Sequence, residues 1–536
     1  MEFPHHGESI YYRYQASFIR DCHGNLLYCN GPKADTITEF WHTIRTRLMK
    51  ENGVATKRRH IFQTKLGEDL NGLTAYQLHH VSKGLVTGIA LDGGAEDDDT
   101  TKEDFVVFFS QLILHQVDFA VGSPKAEPNP LKHDESATER IVSLFDTYLR
   151  YQGADDKWDT CGKAYFTERV QHFTSLGLRV EFCLPAFPCK SSNTDKVIGK
   201  DPDYGERLAL EHLHGFVEEV EKIYEGCAKL WIISDGHVFS DCIGVDDQDV
   251  DAYNEKLIEM NRAIGLHRGN VNRVSFKSLV NLFDLDKYRS QSELSHLATQ
   301  LDIPTIDHHV ETSTTVEAEL CRRILMAGCQ SQRSALRDRI DSQDATILAL
   351  YRGFSRFMLE DLELHPFTRK MSRSKQKRLS SKVAFEMIMR NQAYSNLVEL
   401  IFPNHIRLSI HAHNNAGPKF GIQLFDPAHV RAVESLSPSS NPSISLDLLH
   451  IPTPWHNCVV KMTGSNVLYV TKAKVVRRWL GRLDVRNHNG AVYYALCDEH
   501  PGEGGVEKTK REAAKEEERR VLSRDSITSL VADIPC

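Results

Sequence analysis

Absences set the first limits on this 536-residue chain. No stretch approaches the roughly 18 consecutive apolar residues that a membrane helix requires. The start, Met1-Glu-Phe-Pro-His-His-Gly7, lacks the charged and apolar regions of a secretory signal. The twelve cysteines form no Cys-x-x-Cys pair, and Cys161, Cys183, Cys189, Cys227 and Cys242 stand singly. They read as buried or incidental thiols in a reducing compartment, so a cytoplasmic address is expected. Net positive charge is missing too: the balance is −8 and the pI about 6.4. That argues against a nucleic-acid partner, although it leaves room for a local basic pocket. No Walker glycine spacing, EF-hand spacing or internal repeat is found.

What is present is the composition of a soluble globular protein, 41% hydrophobic and 26% charged. The length is too great for one ordinary core. Residues 1 to about 130 form a separate small region with no readable role. Within it, Ser9–Tyr14 and Asn25–Cys29 suggest strands around a turn at His23-Gly24. Thr36–Met49 has helical spacing, Gly93–Thr101 is a solvated loop, and Phe105–Leu114 is a short apolar segment. Pro124, Pro128 and Pro130 mark a linker over 123–137. The main domain is expected over 138–500. A charged tail occupies 501–536, where Glu507–Arg520 reads as a solvated or frayed helix.

The 138–500 region has an α/β pattern. Two apolar runs, Leu178–Leu184 and Leu230–Ser234, have the continuous hydrophobicity of buried parallel strands, and Val274–Leu279 suggests a third. Between them, Glu206–Tyr224 and Asp249–Ile264 repeat apolar residues at helical spacing. Strand and helix in alternation predict a Rossmann-like parallel core sheet with flanking helices. Residues 315–400 form a helical insertion broken by basic segments such as Met371–Arg378. After Pro403 the period turns to two at Ile406–His411. Phe420–Phe425, Val459–Met462 and Asn466–Lys472 continue as additional C-terminal strands.

Ligands of such sheets sit at the carboxyl ends of the strands. The loop Phe187-Pro-Cys-Lys-Ser-Ser-Asn193 places Lys190, Ser191 and Asn193 there. An ammonium and hydroxyls together hold a phosphate, and equally well form a structural turn with an exposed Lys. Nothing in the sequence marks Cys189 as a low-pKa nucleophile. Asp235 ends the second strand and suits a base or an amine ligand, Asp241 follows it, and Asp246 is better read as a helix cap. Alternation sets Arg407, Ser409 and His411 on one strand face, which favours an anion pocket with Lys419. A competing reading chelates a metal with His411 and His413, as in a metal-dependent hydrolase or oxygenase. Trp455 and His456 share a loop at Pro454–Asn457.

Six blocks in this order resemble the isocyanide (isonitrile) synthases of the pyoverdine/dityrosine biosynthesis family. They are Phe187–Asn193, Lys196–Gly199 with Pro202-Asp203 and Glu206, Ser234–Asp241 with Gly244–Asp246, Arg407–His411, Gly417–Phe420, and Thr453–His456. The family includes bacterial isonitrile-forming enzymes, fungal enzymes of isocyanide metabolism, and the yeast enzyme that starts spore-wall dityrosine synthesis. The resemblance covers about 138–480, and residues 1 to about 130 do not match the bacterial members. It implies a carbon–carbon lyase or transferase that converts an amino acid, commonly tyrosine or tryptophan, to its isocyanide or N-formyl derivative. Ribulose 5-phosphate would supply the carbon. Neither metal nor organic cofactor is expected, and a downstream oxygenase, of the cytochrome type among others, would act on the product. On this reading Lys190, Ser191, Arg407 and Lys419 clamp the phosphosugar with Asn193 beside them. Asp235 and Asp241 orient the amine, His411 or His456 moves protons, and Phe239 and Trp455 line the side-chain pocket. A non-catalytic binding protein is the remaining alternative.

Overall fold

The computed structural model describes three strands between residues 59 and 92, and residues 135–497 apart from 154, 176, 284–305, 307–308, 330–332, 403–404, 412, 437–451 and 480–481. The expectations for Ser9–Tyr14, Asn25–Cys29, Thr36–Met49, 93–114 and Glu507–Arg520 lie outside the described residues, as does most of the linker over 123–137. Strands β1 (Arg59–Lys65), β2 (Leu73–Ser82) and β3 (Leu85–Asp92) form an antiparallel sheet in the order β1-β3-β2. The sequence had suggested no element there.

From residue 135 the chain alternates helix and strand. Helix α1 (Glu135–Leu144) runs into a π turn at Phe145–Leu149, and a second π turn at Trp158–Gly162 leads into α2 (Lys163–Thr174). Then come β4 (Val180–Pro185), α3 (Tyr204–Ile223), β5 (Ala228–Ser234), α4 (Gly236–Ile243), α5 (Asp247–His267), β6 (Val274–Ser278) and α6 (Leu279–Phe283). The helical insertion supplies α7 (Val316–Cys329), α8 (Arg333–Asp341), α9 (Ala345–Leu364) and α10 (Arg373–Ile401). After it come β7 (Ile406–Ser409), β8 (Lys419–Gly421), β9 (Val430–Ala432) and a 3₁₀ turn at Pro454–His456. The described chain closes with β10 (Cys458–Met462), β11 (Leu468–Thr471), α11 (Ala473–Arg477), β12 (Arg482–His488) and β13 (Ala491–Cys497).

The central sheet has the order β6-β5-β4-β7-β8, with every neighbouring pair parallel. Side chains alternate across it. Phe182, Leu184, Leu230, Ile232, Ile406 and Leu408 join one core with helices α1, α2, α3 and α5. Cys183 and Ile233 point the other way and pack beneath α7 and α10, against Ile324, Tyr394 and Leu397. Both faces are dry, which is why β4 and β5 read as unbroken apolar runs.

Two sequence expectations are corrected. The basic run Met371–Arg378 is mostly helical: the break before it ends at Ser372, which caps α10 with its Oγ accepting from the Lys375 N–H at 3.4 Å, and Arg373–Arg378 form that helix's first turns, exposed except for Gln376. The strand expected over Ile406–His411 stops at Ser409, where the chain bends. Strands β7 and β8 also belong to the central sheet, because the second edge of β4 requires a hydrogen-bonded neighbour. The further C-terminal strands form a second sheet in the order β12-β13-β10-β11-β9. Among the described residues, no helix is long and apolar enough to cross a membrane.

Candidate active site

The carboxyl ends of β5, β4 and β7 carry the charged groups of greatest interest. Asp235 follows β5 directly and starts α4. The turn is tight: a Cβ on Gly236 would lie 2.2 Å from the Pro188 carbonyl oxygen and 2.6 Å from a Val250 methyl. Only glycine lets the loop after β4 close over this helix start. Asp235 Oδ1 is buried with no hydrogen-bond partner among the described residues. Burial pushes its carboxyl up to about 7, against the opposing pull of its own backbone N–H and of Arg407.

Arg407 lies across β4, in register with Cys183, which is itself in register with Trp231 of β5. Alternation turns Arg407 toward the face covered by α10, opposite to Ile406 and Leu408. Its Nε and Nη1 are likewise buried and unpartnered among the described residues. Tyr394 of α10 reaches the same end of the sheet and donates to the Ile233 carbonyl at 2.9 Å. The tyrosine feels both Asp235 and Arg407.

A cluster of cationic and polar side chains adjoins Arg407. Its register partner on β8 is Lys419, whose Nζ donates to Ser395 Oγ at 2.5 Å and lies 3.8 Å from Glu399. Ser409 shares the Arg407 face, but His411 does not, because the strand has ended. The His411 N–H donates to Ser409 Oγ at 3.2 Å, and the chain curls until His413 Nε2 stands 3.0 Å from that hydroxyl. Thus the turn, rather than the strand, brings an imidazole to the cations, and that imidazole is His413. Burial first, then Lys419 and Arg407, push His413 down to about 4. The His411 and His413 rings stand 6.4 Å apart, and among the described residues no three His, Cys, Asp or Glu side chains gather as metal ligands.

The loop after β4 does something different. Lys190 is buried, and its Nζ meets Asp203 Oδ2 at 2.8 Å, Glu206 Oε2 at 2.9 Å and the Pro454 carbonyl at 2.8 Å. Asp203 and Glu206 also cap α3 reciprocally, with Gly205 N–H on Asp203 at 2.7 Å and Asp203 N–H on Glu206 at 2.8 Å. Burial pulls the Lys190 ammonium down, but the two carboxylates outweigh it and the net shift is upward. Burial lifts Glu206 to about 7 against the pull of Lys190. We take Lys190 as charged, with Glu206 the acid of the trio nearest to holding a proton.

Ser191 N–H donates to the Trp455 carbonyl at 3.0 Å, and Trp455 is buried against Phe187. The Asn193 amide donates to Asp361 Oδ1 at 3.1 Å and to the Glu360 carbonyl at 3.2 Å. The His456 ring meets the Phe357 ring at 4.8 Å. Lys190, Ser191, Asn193, Trp455 and His456 thus come together as a joint between this loop, the 454–456 turn and α9. The joint touches the strand ends where Ser234 Oγ donates to the Phe187 carbonyl at 3.0 Å. Cys189 lies in the same loop, its thiol pushed up by burial and then by Asp235, which leaves it no thiolate character.

Asp241 does not stand with Asp235. Arg390 of α10 grips it at 2.5 and 2.8 Å in bidentate fashion and also donates to the Val238 carbonyl at 3.0 Å. Arg322 of α7 lies 3.8 Å from Asp241 and holds Asp247 at 3.0 and 3.1 Å. Phe239, half-buried on α4, packs between the two helical core clusters. Asp246 starts α5, as expected of a cap position, but its Oδ1 accepts from Ser313 N–H at 2.7 Å rather than from the helix. Sequence reasoning missed Tyr394, Arg390 and the Asp203–Glu206 cap. The last had a usable signal, an Asp-x-x-Glu before an amphipathic helix.

Comparison with known proteins is consistent with this architecture. Residues 170–481 match the family described as pyoverdine/dityrosine biosynthesis protein. The spore wall maturation protein DIT1 of Saccharomyces cerevisiae is 37% identical over 501 residues, 90% of this chain and 89% of that protein. The L-tyrosine isonitrile synthase of Xenorhabdus nematophila is 29% identical over 315 residues, 59% of this chain and 77% of the relative. The crystal structure of PvcA from Pseudomonas aeruginosa superposes with a TM-score of 0.51 at 25% identity, covering 67% of this chain and 99% of that one.

Proposed function

This chain belongs to the pyoverdine/dityrosine biosynthesis family, and we propose that it is an isocyanide synthase. Its substrate would be an aromatic amino acid, tyrosine first, and ribulose 5-phosphate would supply one carbon. Tyrosine is favoured because the 37% identical relative is a spore wall maturation protein and another relative is an L-tyrosine isonitrile synthase. Residues 138–500 would carry the activity, in the cytoplasm, and a downstream oxygenase would take the product.

The observation that carries the reading is the pair Asp235 and Arg407. Two opposite charges with buried, unpartnered atoms flank one strand end, where a polar ligand would satisfy both. Arg407 and Lys419 would hold the phosphate of the sugar, the guanidinium supplying a planar fork and the ammonium a point charge. The amino acid's nitrogen would then face Asp235. A carboxyl titrating near 7 accepts a proton from an ammonium as it becomes nucleophilic, and returns it as the carbinolamine loses water to form the imine. Phosphate departure and carbon–carbon cleavage follow in the sugar, leaving the isocyanide, or the N-formyl amine after hydration.

The test is incubation of purified protein with tyrosine and ribulose 5-phosphate, followed by mass spectrometry for either product. Arg407→Met should raise KM for the phosphosugar at least 10-fold while KM for tyrosine holds. No product with any aromatic amino acid would overturn the assignment.

A further inference from the structure

We propose that His413, and not His411, is the third group of the anion site, and that it takes up a proton when a phosphate dianion binds between Arg407 and Lys419. This rests on the function proposed above only in its choice of phosphosugar. The site itself stands on the geometry of β7, β8 and the turn that joins them.

Two observations place the ring. Arg407 and Lys419 are cross-strand partners, so their side chains leave neighbouring strands at the same level. Ser409, two residues beyond Arg407, turns to the same face, and His413 Nε2 lies 3.0 Å from its hydroxyl. The Ser409 oxygen already accepts the His411 N–H, so its own hydrogen is free to point at the imidazole. In the tautomer protonated at Nδ1 the neutral ring accepts from this hydroxyl at Nε2, next to two fixed cations. The charged and titratable groups around it are Arg407 on β7, Lys419 on β8, His411 on the same turn at 6.4 Å, and Glu399 of α10 beyond Lys419.

Bringing in a dianion changes the balance. Before the phosphate arrives, burial and then the two neighbouring cations oppose a positive charge on the ring, in keeping with its depressed pKa. A phosphate monoester carries nearly two charges at neutral pH, its second pKa being about 6. Once it neutralises Arg407 and Lys419, the repulsion that opposed a charge on the ring is cancelled, phosphate oxygens lie beside it, and protonation becomes favourable. A proton from solvent then joins the imidazole. The Ser409 hydroxyl rotates from donor to acceptor, and the imidazolium carries a third positive charge beside the phosphate. Uptake therefore depends on the ligand being a dianion, so a phosphosugar would be retained above its dephosphorylated form and above a carboxylate sugar acid.

Calorimetric titration of ribulose 5-phosphate at pH 7, repeated in buffers of different ionisation enthalpy, reads the proton directly. Wild type should take up about half a proton or more per ligand. His413→Gln should bind about 10-fold more weakly with no uptake, whereas His411→Gln should keep both affinity and uptake. A merely structural His413 would alter affinity without altering the proton count. Uptake that persists in His413→Gln, or disappears in His411→Gln, overturns the proposal while leaving the proposed activity in place. Inorganic phosphate is titrated in parallel. If it binds with proton uptake and ribulose 5-phosphate does not bind, the anion site stands and the phosphosugar reading falls. If neither binds, both fall.

Discussion

Asp235 and Arg407 stand on opposite sides of β4, near enough for the guanidinium to pull on the carboxyl's pKa, yet each keeps buried polar atoms that bond to nothing among the described residues. Unpartnered buried groups of this kind cost roughly 1–3 kcal/mol each. A fold retains such a cost where a ligand repeatedly offsets it.

Asp235→Asn should lower kcat by about 100-fold or more while the protein stays folded. The wild-type pH–rate profile should bend near 7, and the variant should lose that limb. Stability has a definite sign as well. The folded pKa of about 7 lies above the unfolded value, which is about 4. The folded state therefore holds the extra proton between these values, and stability falls as pH rises from about 4 to about 7, then levels. Asn carries no such proton, so the variant's Tm at pH 8 should equal or exceed that of wild type. A clear fall in Tm at pH 8 would make Asp235 a structural carboxylate.

Lys190→Met separates a scaffold role from a substrate role. Removing the ammonium strands two buried carboxylates, Asp203 and Glu206, at a cost of about 3–5 kcal/mol. The geometry predicts a large drop in the urea midpoint, partly recovered by adding Glu206→Gln, with KM for the phosphosugar unchanged in the surviving folded protein. A KM raised 10-fold at unaltered stability would return Lys190 to the phosphate.

Arg390→Met tests the brace between α10 and α4. It leaves Asp241 buried without its bidentate partner, and about 3–5 kcal/mol should be lost in denaturant unfolding. The double variant with Asp241→Asn should recover part of the loss, since no uncompensated charge remains. An additive double variant would show that the two residues do not share one interaction.

Gly236→Ala adds one methyl where there is no room. With Pro188 oxygen 2.2 Å away from the new carbon, the loop after β4 or the start of α4 has to shift. Asp235 moves with it, so turnover should drop by at least about 10-fold. Crystal structures of the variant would show the displacement. Wild-type turnover would mean that Asp235 is positioned by something other than this contact.

The sheet was legible in the sequence wherever burial was continuous. Strands β4 and β5 stand within two residues of their apolar runs, and α3 and α5 follow their helical spacing closely. Legibility failed where side chains serve long-range partners. Lys190 in a loop reads as a ligand for phosphate, and nothing within the loop announces that two carboxylates on α3 have already claimed it. Arg390 drew no expectation, since its partner Asp241 is 149 positions away. The joining of β7 to β4 was equally invisible, because strand order is decided by which edge lies open and not by the local pattern. His411 was singled out by alternation continued past the point where the strand stops, and the turn handed the place beside Arg407 to His413 instead.

The order of strands has a consequence for how this chain comes off the ribosome. Strand β4 begins at residue 180, and the neighbour that completes it, β7, begins at residue 406. Until the entire helical insertion has been synthesised, a nascent chain carries β4, β5 and β6 with one flank of β4 unmatched. That flank has bare backbone donors and acceptors, and apolar side chains on either face. Helix α10 emerges just ahead of β7 and already bonds Ile233 and Asp241 through Tyr394 and Arg390. It therefore covers one face of the sheet only as that interval ends, and its last residue, Ile401, leads within a few positions to the strand that fills the open flank. Arg407 and Asp235 thus meet only in the closing stage of translation, so a truncated product ending within the insertion holds the carboxyl of the site without its guanidinium.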